Sequence, residues 1–466
     1  MIPPGSDWPS LIELERQAAE EGRQYGREKL RQRLQAIADE QGLVCPGSGE
    51  HLQDARFRNL SLITTLGPLH IRAHYGYDRR SNRWTFAVRD LWALASGQEI
   101  SPELEQQLGY TASECGSYKK AEAMARSWGV TISATAIHKH VRGLGREAQR
   151  QQALRTERIL NPVTRAEAVR QAQAQRPNAL KEYNLVISID AWKGRERGED
   201  WGLKPADTTA HRVEWRDLKL AVIYRLDQLV EKALSSADPA TRPRRQILQK
   251  FWVAAPSGTP PEEFGRQVHA ETLRRGMAHA KYVLVVCDGA VWIWNIIEDR
   301  FQYALKELDF YHGSEHLWEV ARDLYPQPDQ ARAWVEPLLH QLRHGQEANV
   351  LQTLESLPES VRNVGGVLSE LVQREIKYFQ NHRQHLHYRD NAAKGFPVGS
   401  GAVESGCSQF QDRFKRTGQF WNSASMGCLQ ALKVTRNNGD WDELCHLPVL
   451  PKNPSRSPDY SPSGTK

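Results

Sequence analysis

Cysteine is scarce in this chain. Its six copies (Cys45, Cys115, Cys287, Cys407, Cys428 and Cys445) are spread over 466 residues, and none forms a CxxC pair. That argues against a disulfide framework and against an intact cysteine-rich zinc site. No apolar run approaches the roughly 20 residues that a membrane span needs. The N-terminus, MIPPGSDWPSLIELERQ, lacks the basic-then-apolar layout of an export signal. These absences predict a cytoplasmic protein with no membrane partner. Internal repeats are absent too.

What is present is ample core material: 39% hydrophobic residues against 25% charged, over a length that suits two to four domains. The net charge of +6 is local. Between Lys139 and Arg176 lie nine basic residues, including Arg142 and Arg146, against the three acids Glu147, Glu157 and Glu167. That stretch alone accounts for the whole excess. It suits a polyanion contact, most often nucleic acid. It also suits a solvated helix or linker rich in Arg and Gln.

Along the chain, residues 8–42 read as a polar helix with a thin apolar stripe (Leu11, Leu14, Ala18). Residues 59–75 read as a hairpin turning at Gly67-Pro68. Residues 117–147 have a helix-turn-helix pattern. Tyr118–Trp128 is helical, Gly129 breaks it, and Ser133 caps a second helix to about Leu144. That helix carries Thr135, His138, Lys139 and Arg142 on its outer side, where it can read a major groove; a plain helical hairpin has the same pattern. From 183 the pattern alternates between strands and helices. The strand segments are YNLVISID (183–190), LKLAVIYRL (218–226), QILQKFWVA (246–254), YVLVVCDGA (282–290) and 306–310. Residues 313–390 are helix-rich. The tail from Leu447 is Pro/Ser-rich and reads as disordered.

The segment from Gly395 to Asn422, GFPVGSGAVESGCSQFQDRFKRTGQFWN, is the most informative. Pro397 keeps the chain extended, and Ser400 is placed to cap a helix. Val403, Cys407, Phe410 and Phe414 make one apolar face; Glu404, Ser408, Gln411 and Lys415 make the next. Arg413 and Arg416 flank that polar stripe. A carboxylate that can hold metal beside cations that can hold phosphate suits phosphodiester chemistry. The same polar face is equally that of a solvated helix with an acid at its positive end.

Two apolar strands end in aspartate, Asp190 and Asp288. A carboxylate there is costly unless it serves a purpose, because burial disfavours its charge. If the two strands pair, both acids sit at adjacent carboxyl ends, where ligands gather in open α/β sheets. Glu404 can supply a third carboxylate. Three such groups make an oxygen-only donor set suited to Mg²⁺ or Mn²⁺, with two ions expected for in-line displacement at phosphorus.

Four blocks in order, ISIDAW, VVCDGAVWIWN, DFYHGSEHLW and GSGAVESGC…RFKRTGQFWN, resemble a bacterial insertion-sequence DDE transposase of the Kra group, with Mutator-like relatives. The resemblance covers about nine tenths of the chain. It implies an α/β, RNase H-like mixed sheet flanked by helices, with an all-α insertion, an N-terminal hairpin and a helix-turn-helix-like DNA-binding region. Asp190, Asp288 and Glu404 match the family's catalytic and metal-binding triad. Asp309 and His312 match an accessory element near the active site, where Asp309 would set the His312 tautomer; a structural cap for the following helix is the other reading. His312 and His316 also form an HxxxH pattern, for which the family gives no metal role. Family members often pair cysteines of zinc-ribbon type near residues 45–80; only Cys45 remains here, so no zinc is expected.

The implied organisation is an N-terminal helix and hairpin (1–100), a helical DNA-binding region (101–180), the first part of the catalytic core (181–312), a helical insertion (313–395), the last part of the core (396–446) and the tail (447–466). The implied activity is binding of terminal repeats, DNA cleavage and transfer of 3′-OH ends to target DNA by a homodimer or larger assembly, in the bacterial nucleoid. Phosphate and base contacts are expected from Thr135, His138, Lys139, Arg142, Arg146, Lys193, Arg195, Arg413, Lys415 and Arg416, with Trp421 stacking on DNA. The competing readings are an RNase H-like nuclease that does not join ends, and a non-catalytic DNA-binding regulator built on residues 117–176.

Overall fold

The computed structural model describes residues 9–94, 98–167, 182–202, 212–232, 244–363 and 366–446. The tail from 447 and the end of the basic stretch, with Arg170 and Arg176, lie outside the described residues. The chain divides into two compact units, Met1–Leu144 with Trp441–Lys466, and Gly145–Asp440. Among the described residues no helix is long and apolar enough to cross a membrane.

In the first unit, helix α1 (Leu11–Gln41) starts at a capping box in which Ser10 and Glu13 satisfy each other's backbone N–H groups. Its expected apolar stripe is not the buried one: Leu11 and Leu14 are exposed, and Ala38 packs instead against Leu60, Ile71 and Ala73 of the sheet. The sheet pairs β1 (Gln53–Thr64) with β2 (Gly67–Asp78), and β2 with β3 (Arg83–Phe86), all antiparallel. The hairpin bends two residues earlier than expected. Thr64 faces Gly67 and Ile63 faces Pro68, so Gly67 and Pro68 already belong to β2. The thiol of buried Cys45 lies 3.3 Å from Asp90 and 3.8 Å from Asp78.

Helices α2 (Pro102–Glu114) and α3 (Tyr118–Ser127) follow, and Gly129 turns the chain at φ +83. Helix α4 (Ala134–Leu160) is more than twice as long as expected. Gly143 and Gly145 do not end it, because tertiary packing outweighs the weak helix propensity of glycine. Its start is fixed by Ser133, whose hydroxyl accepts the N–H of Ala136, and by Glu122, whose carboxylate accepts the N–H of Ala134.

The second unit is built on a five-stranded mixed sheet in the order β10-β9-β4-β5-β8. Its strands are β4 (Asn184–Arg197), β5 (Val213–Arg225), β8 (Phe251–Ala255), β9 (Tyr282–Cys287) and β10 (Leu305–Leu308). A short two-stranded sheet, β6 (Leu229–Lys232) with β7 (Arg244–Ile247), branches off. Strands β4, β5 and β8 form an antiparallel meander, and β9 and β10 add in parallel on the other side of β4.

One sheet face presents Leu185, Ile187, Ile189, Val285 and Cys287. It packs on α5 (Pro261–Arg274) and α6 (Val291–Arg300) through Phe264, Val268, Ile293 and Ile297. The same core runs on into a helical array: α7 (Phe310–Leu324), α8 (Pro328–Arg343), α9 (Glu347–Asn363), α10 (Glu370–Asn381) and α11 (Tyr388–Ala393). The opposite face is covered by α12 (Gly401–Phe414), with α13 (Ser423–Asn437) packing on β8. Helix α12 lies close to the sheet at Gly406, where a Cβ would come within 2.5 Å of the Trp252 ring. The last helix, α14 (Trp441–His446), belongs to the first unit, where Trp441 meets Tyr110 edge-on.

Candidate active site

Register decides the site. Strands β4 and β9 run parallel, and their last paired residues are Ile189 and Cys287. Asp190 and Asp288 are the next residues on each, so they emerge side by side. Side chains alternate between faces; Ile189 and Cys287 point into the core, so Asp190 and Asp288 share the opposite face, the one α12 covers. Only β9 ends there. Strand β4 continues seven residues beyond Asp190, still paired with β5 to Arg197. Asp190 is therefore an interior residue of its strand and not its last.

Helix α12 brings in the third carboxylate. Val403, Cys407, Phe410 and Phe414 are buried as one face, while Glu404 stands exposed. The Cys407 thiol lies 3.5 Å from Asp190 Oδ2, and the Ala191 N–H donates to Asp190 Oδ1 at 2.6 Å. Burial pushes the Asp190 carboxyl above its ordinary pKa, and the charges of Asp288 and Glu404 add to the effect. Three carboxylates are thus close enough to repel, and they offer only oxygen donors, which fits Mg²⁺ or Mn²⁺. They are not drawn into a tight cluster. Among the described residues, the group of three whose ligand atoms all lie within 4.8 Å is His316, Glu319 and Glu375. That group is occupied by protein contacts. His316 Nδ1 is 2.5 Å from Glu375, and Arg374 pairs with Glu375 at 2.6 Å and with Glu319 at 3.3 Å.

The turn after β9 is held from two sides. Asp288 Oδ1 accepts the N–H of Ala290 at 3.0 Å, and Tyr378 of α10 donates its hydroxyl to the Asp288 carbonyl at 3.0 Å. Gly289 has φ +95, a conformation that favours glycine, and a Cβ there would meet the Tyr378 hydroxyl at 2.9 Å. Tyr378 in turn stacks on His316 at 3.9 Å.

Several expectations need correcting. Ser400 stands at the N-cap of α12, but its hydroxyl donates to Glu404 at 3.0 Å and does not cap the helix. Asp309 does not orient His312 through its ring. Its Oδ1 accepts the His312 backbone N–H at 2.8 Å and its Oδ2 accepts the Ser400 N–H, so it caps α7 and ties α12 to it. The His312 ring is near Glu315 instead, at 3.8 Å. Trp421, expected to stack on DNA, is 8% exposed and donates its indole N–H to the Phe414 carbonyl. Arg413, expected to reach phosphate, is 2% exposed and lies over the rings of Phe414 and Trp421. Trp421 faces inward where the chain bridges to Glu196 of β4.

The remaining expected DNA contacts are more accessible. Lys193, Arg416, Thr135, Lys139 and Arg146 are exposed, and Arg195, Lys415 and Arg142 are half-buried. His138 packs its ring against Tyr118. Sequence reading missed Cys407 as a partner of Asp190 and Tyr378 as a brace for Asp288. Cys407 carried only its place on an apolar face, and nothing near Tyr378 pointed to the site.

Residues 5–168 match the model of a family described as an uncharacterised protein family (UPF0236). The match ends before the first of the three carboxylates. No curated protein matches the chain.

Proposed function

We propose that the Gly145–Asp440 unit is the catalytic part of a DNA transposase that cleaves its element's ends and joins the 3′-hydroxyls to target DNA. One observation carries this reading: Asp190 and Asp288 leave adjacent parallel strands at the same level, and α12, which carries Glu404, touches Asp190 through Cys407 at 3.5 Å. The strand order and directions, an antiparallel meander with two parallel strands added, are those expected of an RNase H-like sheet.

Asp190, Asp288 and Glu404 would hold Mg²⁺ or Mn²⁺. A divalent cation bound there supplies activation of the attacking oxygen and neutralises charge at the leaving oxygen. The chain's own work is placement. Ala191 and Cys407 fix the Asp190 carboxylate, Tyr378 fixes the turn bearing Asp288, and Ser400 holds Glu404. Lys193, Arg195, Lys415 and Arg416 supply positive charge on the same unit for the DNA backbone. Joining two DNA ends calls for at least two copies of the chain.

The test is incubation of full-length protein and Mg²⁺ with labelled DNA carrying the sequences that flank its coding region, plus a target plasmid. Cleavage with transfer of label into plasmid supports the reading. Cleavage without transfer leaves a nuclease, and Mg²⁺-independent binding without nicking leaves a DNA-binding regulator.

A further inference from the structure

We infer that the far end of the β4–β5 ribbon carries a stacking site for unpaired nucleobases, formed by Trp215, Trp201 and Phe420. From the preceding reading it takes only that the substrate is nucleic acid.

The ribbon beyond Asp190 alternates. Trp192, Gly194 and Glu196 are buried, while Lys193, Arg195 and Arg197 point outward. Arg195 is paired across the ribbon with Trp215, so both stand on the outer face. There cations and rings interleave in one row. Lys415 lies 5.2 Å from the Trp215 ring centre; Arg195 lies 5.8 Å from Trp215 and 5.3 Å from Phe420. Phe420 meets Trp201 at 5.1 Å, and Arg197 lies 5.0 Å from Trp201. Trp215 is 53% exposed and Trp201 40%. A single exposed indole needs no explanation, but a row of rings set between cations does.

These cations are aimed by backbone and not consumed by acids. Arg195 donates to the carbonyls of Lys415 and Arg416, and Arg197 to that of Phe420. Among the described residues no carboxylate forms an ion pair with Arg195, Arg197 or Lys415. The neighbouring acids Asp217 and Glu214 are paired with Lys193 and Arg216. The row therefore offers positive charge for phosphates and flat faces for rings.

A fully paired duplex can use only the first of these, because its base faces are hidden in the stack. A base displaced from the helix can use both: its ring lies on indole while its phosphates meet the flanking cations. The row thus favours frayed, flipped or single-stranded nucleotides over paired ones.

The experiment compares full-length protein binding to a labelled single strand and to the blunt duplex of the same sequence, in EDTA, by fluorescence anisotropy. Trp215→Ala is expected to weaken single-strand binding about 5- to 150-fold, the range for loss of one base–aromatic stack, with duplex binding changed less than about twofold. Trp215→Phe is expected to restore most of the loss, and Trp201→Ala to reproduce it in part. Unaltered thermal unfolding shows that the variants fold. Equal losses on both DNAs, or none on the single strand, overturn the stacking site. Asp190→Asn separates the two readings. If the parent chain does not cleave DNA, or Asp190→Asn cleaves as the parent does, while the Trp215 effect persists, only the catalytic reading falls. If cleavage depends on Asp190 while Trp215→Ala binds single strands normally, only the stacking site falls.

Discussion

The carboxylate of Asp309 accepts the backbone N–H of Ser400, joining the end of β10 to the start of the helix that carries Glu404. The same residue donates its own N–H to the carbonyl of Cys287, the residue before Asp288, at 2.7 Å. Asp309 is 1% exposed. One buried aspartate therefore sets the positions of two of the three carboxylates relative to each other, without being one of them.

Asp309→Ala is expected to cost about 2–4 kcal/mol, since it strands two N–H groups that now meet a charged acceptor. Urea unfolding measures the loss. Cleavage by the folded fraction is expected to fall with it, because the start of α12 is no longer tied to β10. Unchanged stability would show that Asp309 is not the joint described.

Asp190→Asn, Asp288→Asn and Glu404→Gln are each expected to lower cleavage by about 10²–10³-fold or more, the scale of losing a group that stabilises charge at the reacting centre. Affinity for DNA should stay near that of the parent chain. Cleavage and gel-shift assays on the same samples check both halves, and full-rate cleavage by any one variant removes that residue from the site.

Glu307 is fully buried, and burial lifts its carboxyl to about 8, opposed by the Asn391 amide that donates to it at 2.6 Å. Its folded pKa lies above the unfolded one, so the folded state holds the extra proton. Stability from this group is present below about pH 4.5 and is lost as pH rises towards 8. Glu307→Gln keeps an acceptor for Asn391 and cannot ionise. Thermal midpoints measured across that range should decline with pH in the parent chain and flatten in the variant. Parallel profiles would contradict this.

Trp421→Ala is expected to destabilise the fold by about 3–5 kcal/mol, as loss of a large buried ring does. DNA affinity of the folded protein should change little. The opposite result, intact stability with weakened binding, would restore Trp421 as a DNA contact.

Much of this architecture was legible locally. The β-branched runs ending in Asp190 and Asp288 announced strands, and the spacing of Val403, Cys407, Phe410 and Phe414 announced the buried face of α12. What escaped was decided at long range. WKGRER after Asp190 looks like a charged loop, yet its alternation continues a strand because β5 pairs with it throughout. Trp421 and Trp215 both stand beside basic residues in the sequence. Only the bridge to Glu196 and the ribbon register bury the first and expose the second. Asp309 looked like the partner of His312 because the two are three residues apart, whereas Ser400, 91 residues on, takes its other oxygen.

The unbroken run of β4 past Asp190 makes the strand a ruler. Trp215 is paired with Arg195, five positions beyond the acid, a run of about 17 Å at about 3.3 Å per residue, and because five is odd the ring and the carboxylate stand on opposite faces of the sheet. A strand gripped there would reach the carboxylates only by passing around the edge of the ribbon, over a length that extended backbone sets.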